Sequence, residues 1–207
     1  MKFIGIILLI LTSIFLIACS ANQASNKISN SELENLASKY GGVYVFNEKF
    51  EKEIEKREAE RKELRKNTRG KDLGGGLYSV NTKVVDEKFP QILSNGKKYY
   101  TRWIDYERET GKKAEIPETY INKIKEFMGD DFLKEEPRIY PKYMYFDGKE
   151  MSVIKIYLSY DYIKTKYGLF GDENRGISFK QDTFGTKSGD NIFYLINGKF
   201  ERVSKDK

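Results

Sequence analysis

The chain has no histidine and a single cysteine, Cys19. Without imidazole there is no Ser-His-Asp triad, no histidine general base and no His-ligated zinc or iron. One thiol cannot form a disulfide within the chain, so stability rests on packing. A Cys-His nucleophile is excluded as well. Paired carboxylates, Ser-Lys dyads and Tyr or Lys bases remain open to catalysis, and most hydrolase chemistries drop out. Long apolar runs are also missing, except at residues 3–18.

That run follows Lys2, its only preceding charge, and is broken by Gly5, Thr12 and Ser13. It is shorter than the about 20 residues a spanning helix needs. A charged start, a short apolar centre and small residues at the end describe a secretory signal peptide. Its last four residues, Leu16-Ile17-Ala18-Cys19, resemble the lipobox of bacterial lipoproteins, in which a small residue precedes an obligatory cysteine. The resemblance covers the signal alone. It implies that residues 1–18 are removed and that Cys19 becomes the lipidated first residue, moored to the bilayer. Two or more acyl chains hold a protein durably where one does not. In the same class the residue after the cysteine sorts between membranes. Ser20 is not the retaining Asp, which favours the outer membrane in a cell with two.

Fifteen tyrosines and thirteen phenylalanines supply enough apolar surface for a packed core, so general disorder is excluded. The length behind the signal fits one domain. Lys and Arg exceed Asp and Glu by 37 to 31, a mild excess that favours anionic surfaces such as lipid head groups or acidic glycans. An exported address argues against nucleic acid as partner.

Residues 19–30 are small and polar after the cysteine and read as a tether. A single domain is expected over 31–207. Ser31 and Glu34 have capping-box spacing ahead of Leu33, Leu36, Ala37 and Tyr40, which predicts a helix closed by Gly41-Gly42; residues 43–46 follow as a strand. Residues 48–67 contain neither Gly nor Pro and carry opposite charges four apart, Glu48/Lys52, Glu53/Arg57 and Glu58/Lys62, which predicts a helix. Its apolar content thins out after Phe50 and Ile54, and apolar a/d heptads are missing. A solvated surface helix is therefore favoured over a partner-binding arm. The connection 68–76 is Gly-rich. It is no P-loop, because Gly74-Gly75-Gly76 is not followed by Lys-Ser/Thr and a helix.

Beyond it, strands are expected at 77–85 and 98–107. An amphipathic helix at 117–133 opens on Pro117 and aligns Tyr120, Ile121, Ile124, Phe127, Met128 and Phe132. Asp147-Gly148 and Asn197-Gly198 each sit between β-rich runs and predict hairpins with type I′ turns. A short helix is expected at 161–167, closed by Gly168.

As a strand, 98–107 would show Tyr100, Arg102, Ile104 and Tyr106 on one face and Tyr99, Thr101, Trp103 and Asp105 on the other. Tyr100, Arg102, Trp103 and Tyr106 are the candidate ligand-binding residues, since aromatics beside charges suit sugar stacking or cation–π contact. Core aromatics with edge charges would give the same pattern. Asp172-Glu173-Asn174 does not match a calcium loop, and no cofactor or metal motif is found. Asp105, Glu107, Glu109, Asp130 and Asp131 are the carboxylates nearest a glycosidase pair.

The expected architecture is α+β: an antiparallel, hairpin-rich sheet packed on one amphipathic helix, with a charged surface helix added. The expected function is a membrane-anchored, non-catalytic binding or assembly module. An immunity or inhibitor lipoprotein against a toxin or lytic enzyme is the near alternative, and a His-free glycan-acting enzyme the remote one.

Overall fold

The computed structural model describes residues 28–68, 70–79, 82–172 and 176–203. Cys19, the signal and most of the tether lie outside them, as does the 173–174 part of the rejected calcium loop. The class is α+β. The chain forms two compact units. Among the described residues, one holds 42–129, 139–158 and 190–203; the other holds 28–41, with 130–138 and 159–189.

In the larger unit the strands are β1 (Gly42–Val45), β2 (Asp72–Gly74), β3 (Leu77–Tyr78), β4 (Tyr99–Tyr100), β5 (Arg138–Phe146), β6 (Met151–Asp172), β8 (Asn191–Ile196) and β9 (Lys199–Val203). β5 has its first residue, and β6 its last part, in the smaller unit. The main sheet runs β4-β5-β6-β1-β8-β9. It is mixed, because β1 pairs with β8 in parallel, Tyr44 opposite Phe193, while β1 and β6 are antiparallel, Tyr44 opposite Ile156. Helix α5 (Glu118–Met128) begins after Pro117 as expected and brings Phe127 to the aromatic centre. There Tyr44 stacks on Phe193 at 4.7 Å, and Phe200 meets Tyr44 edge-on at 5.0 Å. Edge-to-face and offset packing of this kind adds about 0.5–1.5 kcal/mol per pair beyond area burial.

Helix α2 spans Glu48–Asn67, as its propensity requires, with Asn47 accepting from the Phe50 N–H at 3.0 Å. It is not merely solvated beyond Phe50 and Ile54, as its sparse apolar pattern implied. Its inward stripe is largely charged: Glu51, Ile54 and Arg61 are buried. Lys155 of β6, itself buried, reaches Glu51 at 2.6 Å and Glu55 at 2.5 Å. Burial works against the Lys155 charge, but the two carboxylates outweigh it and raise its pKa. Burial raises Glu51 despite Lys155.

Other expectations change here. Residues 77–85 are not one strand: β3 ends at Tyr78, and α3 (Thr82–Lys88) buries Val85. The Gly-rich connection is a small β2/β3 hairpin, and Gly74, Gly75 and Gly76 take φ of +86°, +62° and +81°, where a side chain is strained. The expected strand at 98–107 stops at Tyr100, and α4 (Trp103–Thr110) follows, closed by Gly111 at φ +66° with its N–H on the Glu107 carbonyl. Of the two hairpin turns, Asn197-Gly198 has φ of +50° and +83°, the type I′ signature. Asp147 does not take positive φ. That turn is shifted by one residue: the Asp147 N–H bonds the Glu150 carbonyl at 3.2 Å, which leaves Gly148-Lys149 at the tip, with Gly148 at φ +117°.

The smaller unit contains α1 (Asn30–Tyr40), α6 (Asp131–Lys134) and the ribbon made by the far part of β6 with β7 (Gly176–Lys187). The capping box uses Ser29 and Glu32 rather than Ser31 and Glu34. The sequence offers both frames two residues apart, and the earlier one lengthens the helix. Leu33, Leu36, Ala37, Tyr40, Phe132 and Tyr160 are buried. Asp131 accepts from Tyr40 Oη at 2.7 Å and pairs with Lys39 at 3.0 Å and Lys134 at 2.6 Å. These donors, Lys134 foremost, hold its carboxyl well below the usual range. The helix expected at 161–167 is instead strand, paired residue by residue with β7. Among the described residues no helix is long and apolar enough to cross a membrane.

Candidate functional site

A polar groove of about 500 Å³ lies in the larger unit, between the second half of α2, α3 and the β4–α4 segment. Arg61 and Arg65 of α2 enter it because they share the inward stripe with Ile54 and Glu58, at helical spacings of three and four. Arg61 is 3% exposed. It donates from Nη1 to the Phe89 carbonyl, and from Nη2 to Asp86 Oδ1 at 2.6 Å. Its Nε is 3.3 Å from Glu58 Oε1, within ion-pair range but without a hydrogen-bond angle. Glu58 Oε1 is already taken by Tyr99 Oη and Gln91 Nε2, each at 2.8 Å. Burial, and then this bond to Glu58, push the Tyr99 pKa far above an ordinary tyrosine, so it stays a donor.

The far wall comes from α4 and the chain before it. Arg102 grips Asp105 through two bonds, Nε to Oδ2 at 2.6 Å and Nη2 to Oδ1 at 2.9 Å. Arg108 reaches the same carboxylate at 2.8 Å, and Lys98 pairs with Glu109 at 2.5 Å. Arg102 in particular pushes Asp105 below the usual carboxylate range. Five cationic side chains (Arg61, Arg65, Lys98, Arg102 and Arg108) therefore face four carboxylates (Glu58, Asp86, Asp105 and Glu109). The fifth cation is left over. Arg65 makes no hydrogen bond or ion pair with any described residue, and its Nε is buried without a partner.

Tyr100 and Arg102 thus line the groove. Tyr106 is buried behind it, edge-on to Tyr100 at 5.4 Å. Trp103 is 49% exposed and lines no part of the groove. The four do not share a surface because the chain changes from a two-residue to a 3.6-residue period at Trp103. Arg61 and Arg65 were missed, although their i,i+4 spacing in line with Ile54 pointed to them. Lys98 and Arg108 belong to the candidate stretch 97–108 but were not singled out in it, although Arg102/Asp105/Arg108 at i,i+3 ahead of Gly111 marks a charged helix face.

Chemically the groove is a guanidinium cradle for an anion. A glycosidase acid needs a carboxyl raised toward neutrality, whereas Asp105 and Asp131 are both lowered. Among the described residues no cluster of three or more Asp, Glu, His or Cys could hold a metal ion. Compared with protein-family models, curated proteins and solved structures, the chain matches none.

Proposed function

We propose that this chain is a lipid-anchored, non-catalytic binding protein of the cell envelope. Cys19 holds it in the membrane, the outer one where a cell has two, and the Arg-lined groove takes an anionic group of an envelope polymer or protein. The observation that carries the binding reading is Arg65, a guanidinium in a concave site with no counter-ion among the described residues. A carboxylate or phosphate entering there completes the pairing, and a charge-assisted bond contributes about 1.5–3 kcal/mol. The lipobox resemblance at residues 16–19 carries the anchor.

The groove is tested with polygalacturonate, a carboxylate polymer, titrated against the full chain in detergent. Arg65→Glu is expected to weaken binding about tenfold or more, and Lys149→Glu, on an exposed loop, to leave it unchanged. Equal affinity of the two variants would remove the groove from the function. The anchor is tested by labelling with radioactive palmitate: the native chain takes up label and Cys19→Ser does not.

A further inference from the structure

The ribbon of β6 and β7 has two faces, and its register assigns each side chain to one of them. Lys166 lies opposite Gln181 and Lys164 opposite Thr183. Cross-strand partners share a face, and so do alternate residues along a strand. Lys164 and Lys166 therefore stand on the face that carries Ile177 and Phe179, each 75% exposed. Neither lysine makes a hydrogen bond or ion pair with a described residue.

This face holds no carboxylate among the described residues of the ribbon. The acids are on the other side and are engaged there. Asp182 accepts from Thr165 at 2.7 Å and pairs with Lys180 at 3.0 Å. Asp161 accepts from Thr186 at 2.9 Å and pairs with Arg138.

The base of the acid-free face is covered by α1, since Lys187, opposite Tyr160, pairs with Glu34. The N-cap of α1 is Ser29. The ten residues from there back to Cys19 reach at most about 35 Å when fully extended and about 18 Å on average as a coil. The anchor proposed at Cys19 is therefore tethered within about 35 Å of the helix that covers the base of this face.

We propose that this face of the ribbon lies on the anionic bilayer that holds Cys19, with Lys164 and Lys166 at the lipid phosphates and Ile177 and Phe179 at the acyl boundary. The inference rests on the lipid anchor proposed above. Free lysines are drawn to an anionic leaflet, and aromatic and aliphatic side chains settle at its interface. The ribbon lies flat rather than piercing the hydrocarbon. Among the described strands β7 pairs only with β6, so its outer edge keeps unpaired N–H and C=O groups that lipid tails cannot satisfy.

The test uses the full chain reconstituted into vesicles of phosphatidylcholine, alone or mixed equally with phosphatidylglycerol. Phe179→Cys is labelled with an environment-sensitive maleimide dye, and Phe184→Cys, exposed on the ribbon's other face, is labelled likewise as reference. In the anionic vesicles the dye at 179 is expected to shift to the blue and be quenched by nitroxide lipids, while the dye at 184 stays aqueous. Adding Lys164→Glu and Lys166→Glu to the 179 variant reduces the interfacial fraction at least about tenfold. Hydrogen exchange on the unsubstituted chain gives a second reading, slower exchange at 162–166 and 177–185 with phosphatidylglycerol present. Emission at 179 matching that at 184, or exchange indifferent to the anionic lipid, overturns the proposal. The anchor is read separately: dye on the unsubstituted chain means that Cys19 is a free thiol and overturns the anchor, while hydrogen exchange, which needs no dye, still decides the ribbon.

Discussion

From Met151 to Leu158, β6 runs between β5 and β1, and Ile154, Ile156 and Leu158 are fully buried. From Asp161 to Gly171 the same strand is paired along its length with β7, and Tyr167 and Leu169 stand in solvent. Both stretches are rich in β-branched and aromatic residues, so strand propensity does not distinguish them. Their lysines make the same point. Lys155 is buried between two carboxylates, whereas Lys164 and Lys166 are exposed and unmatched by any described residue. What differs is the neighbours the fold supplies. Apolar side chains left out by those neighbours, on the two-stranded part of the sheet, mark a surface that needs a partner.

The contrast is most sharply challenged by paired deletions of aromatic rings. Phe193→Ala in the aromatic centre is expected to cost about 3–5 kcal/mol in urea unfolding, and Phe184→Ala on the ribbon less than about 0.5 kcal/mol. Similar costs would erase the distinction between the two stretches.

Lys155→Ala leaves Glu51 buried without its cation and is expected to cost about 3–5 kcal/mol. Replacing Lys155 and Glu51 together by Met is expected to recover most of that loss, because the unpaired charge is gone. No recovery would show that Lys155 contributes through something other than this pair.

A smaller effect appears in acid. The folded-state pKa of Asp131 is depressed, so its contribution is present above the unfolded value, about 3.9. It is lost as pH falls below that toward the folded value. Asp131→Asn should flatten the acid limb of a stability-against-pH curve for the α1/α6 unit, and an unchanged limb would show that other groups set it. Lys155 acts at the alkaline end. Its pKa is raised, so its contribution is full below the unfolded value of about 10.4 and fades as pH climbs through the folded one. The smallest effect is expected from Lys166→Ala, whose stability in water should stay within about 0.5 kcal/mol of the native chain.

Much of the fold can be read locally. Helix α2 follows from a run without Gly or Pro, α5 from Pro117 and its apolar stripe, and the β8/β9 hairpin from Asn197-Gly198, because two consecutive positive φ angles suit few other pairs. The errors fall where a local signal was ambiguous. Tyr99, Tyr100, Trp103 and Tyr106 suit a strand by residue type, but Gly111 and the Arg102/Asp105/Arg108 spacing belong to a helix end. Residues 161–167 could follow either period, and pairing with β7 decided for strand. Half of the candidate site was legible, in Tyr100 and Arg102. Arg61 and Arg65 were not, because the inward face of α2 was sought among apolar residues.

The sequence alone determined what this chain cannot do: without histidine and with one thiol, whole classes of catalysis have no reagent. It also determined the helices and turns whose signals lie within a few residues of one another. Tertiary structure decided which charges are saturated and which are spare. Lys155 and Glu51 are 104 residues apart in the chain, and Arg61 meets Asp86 across 25. A charge's environment is set by groups that only folding brings within about 4 Å, where Coulomb attraction and desolvation become large enough to matter.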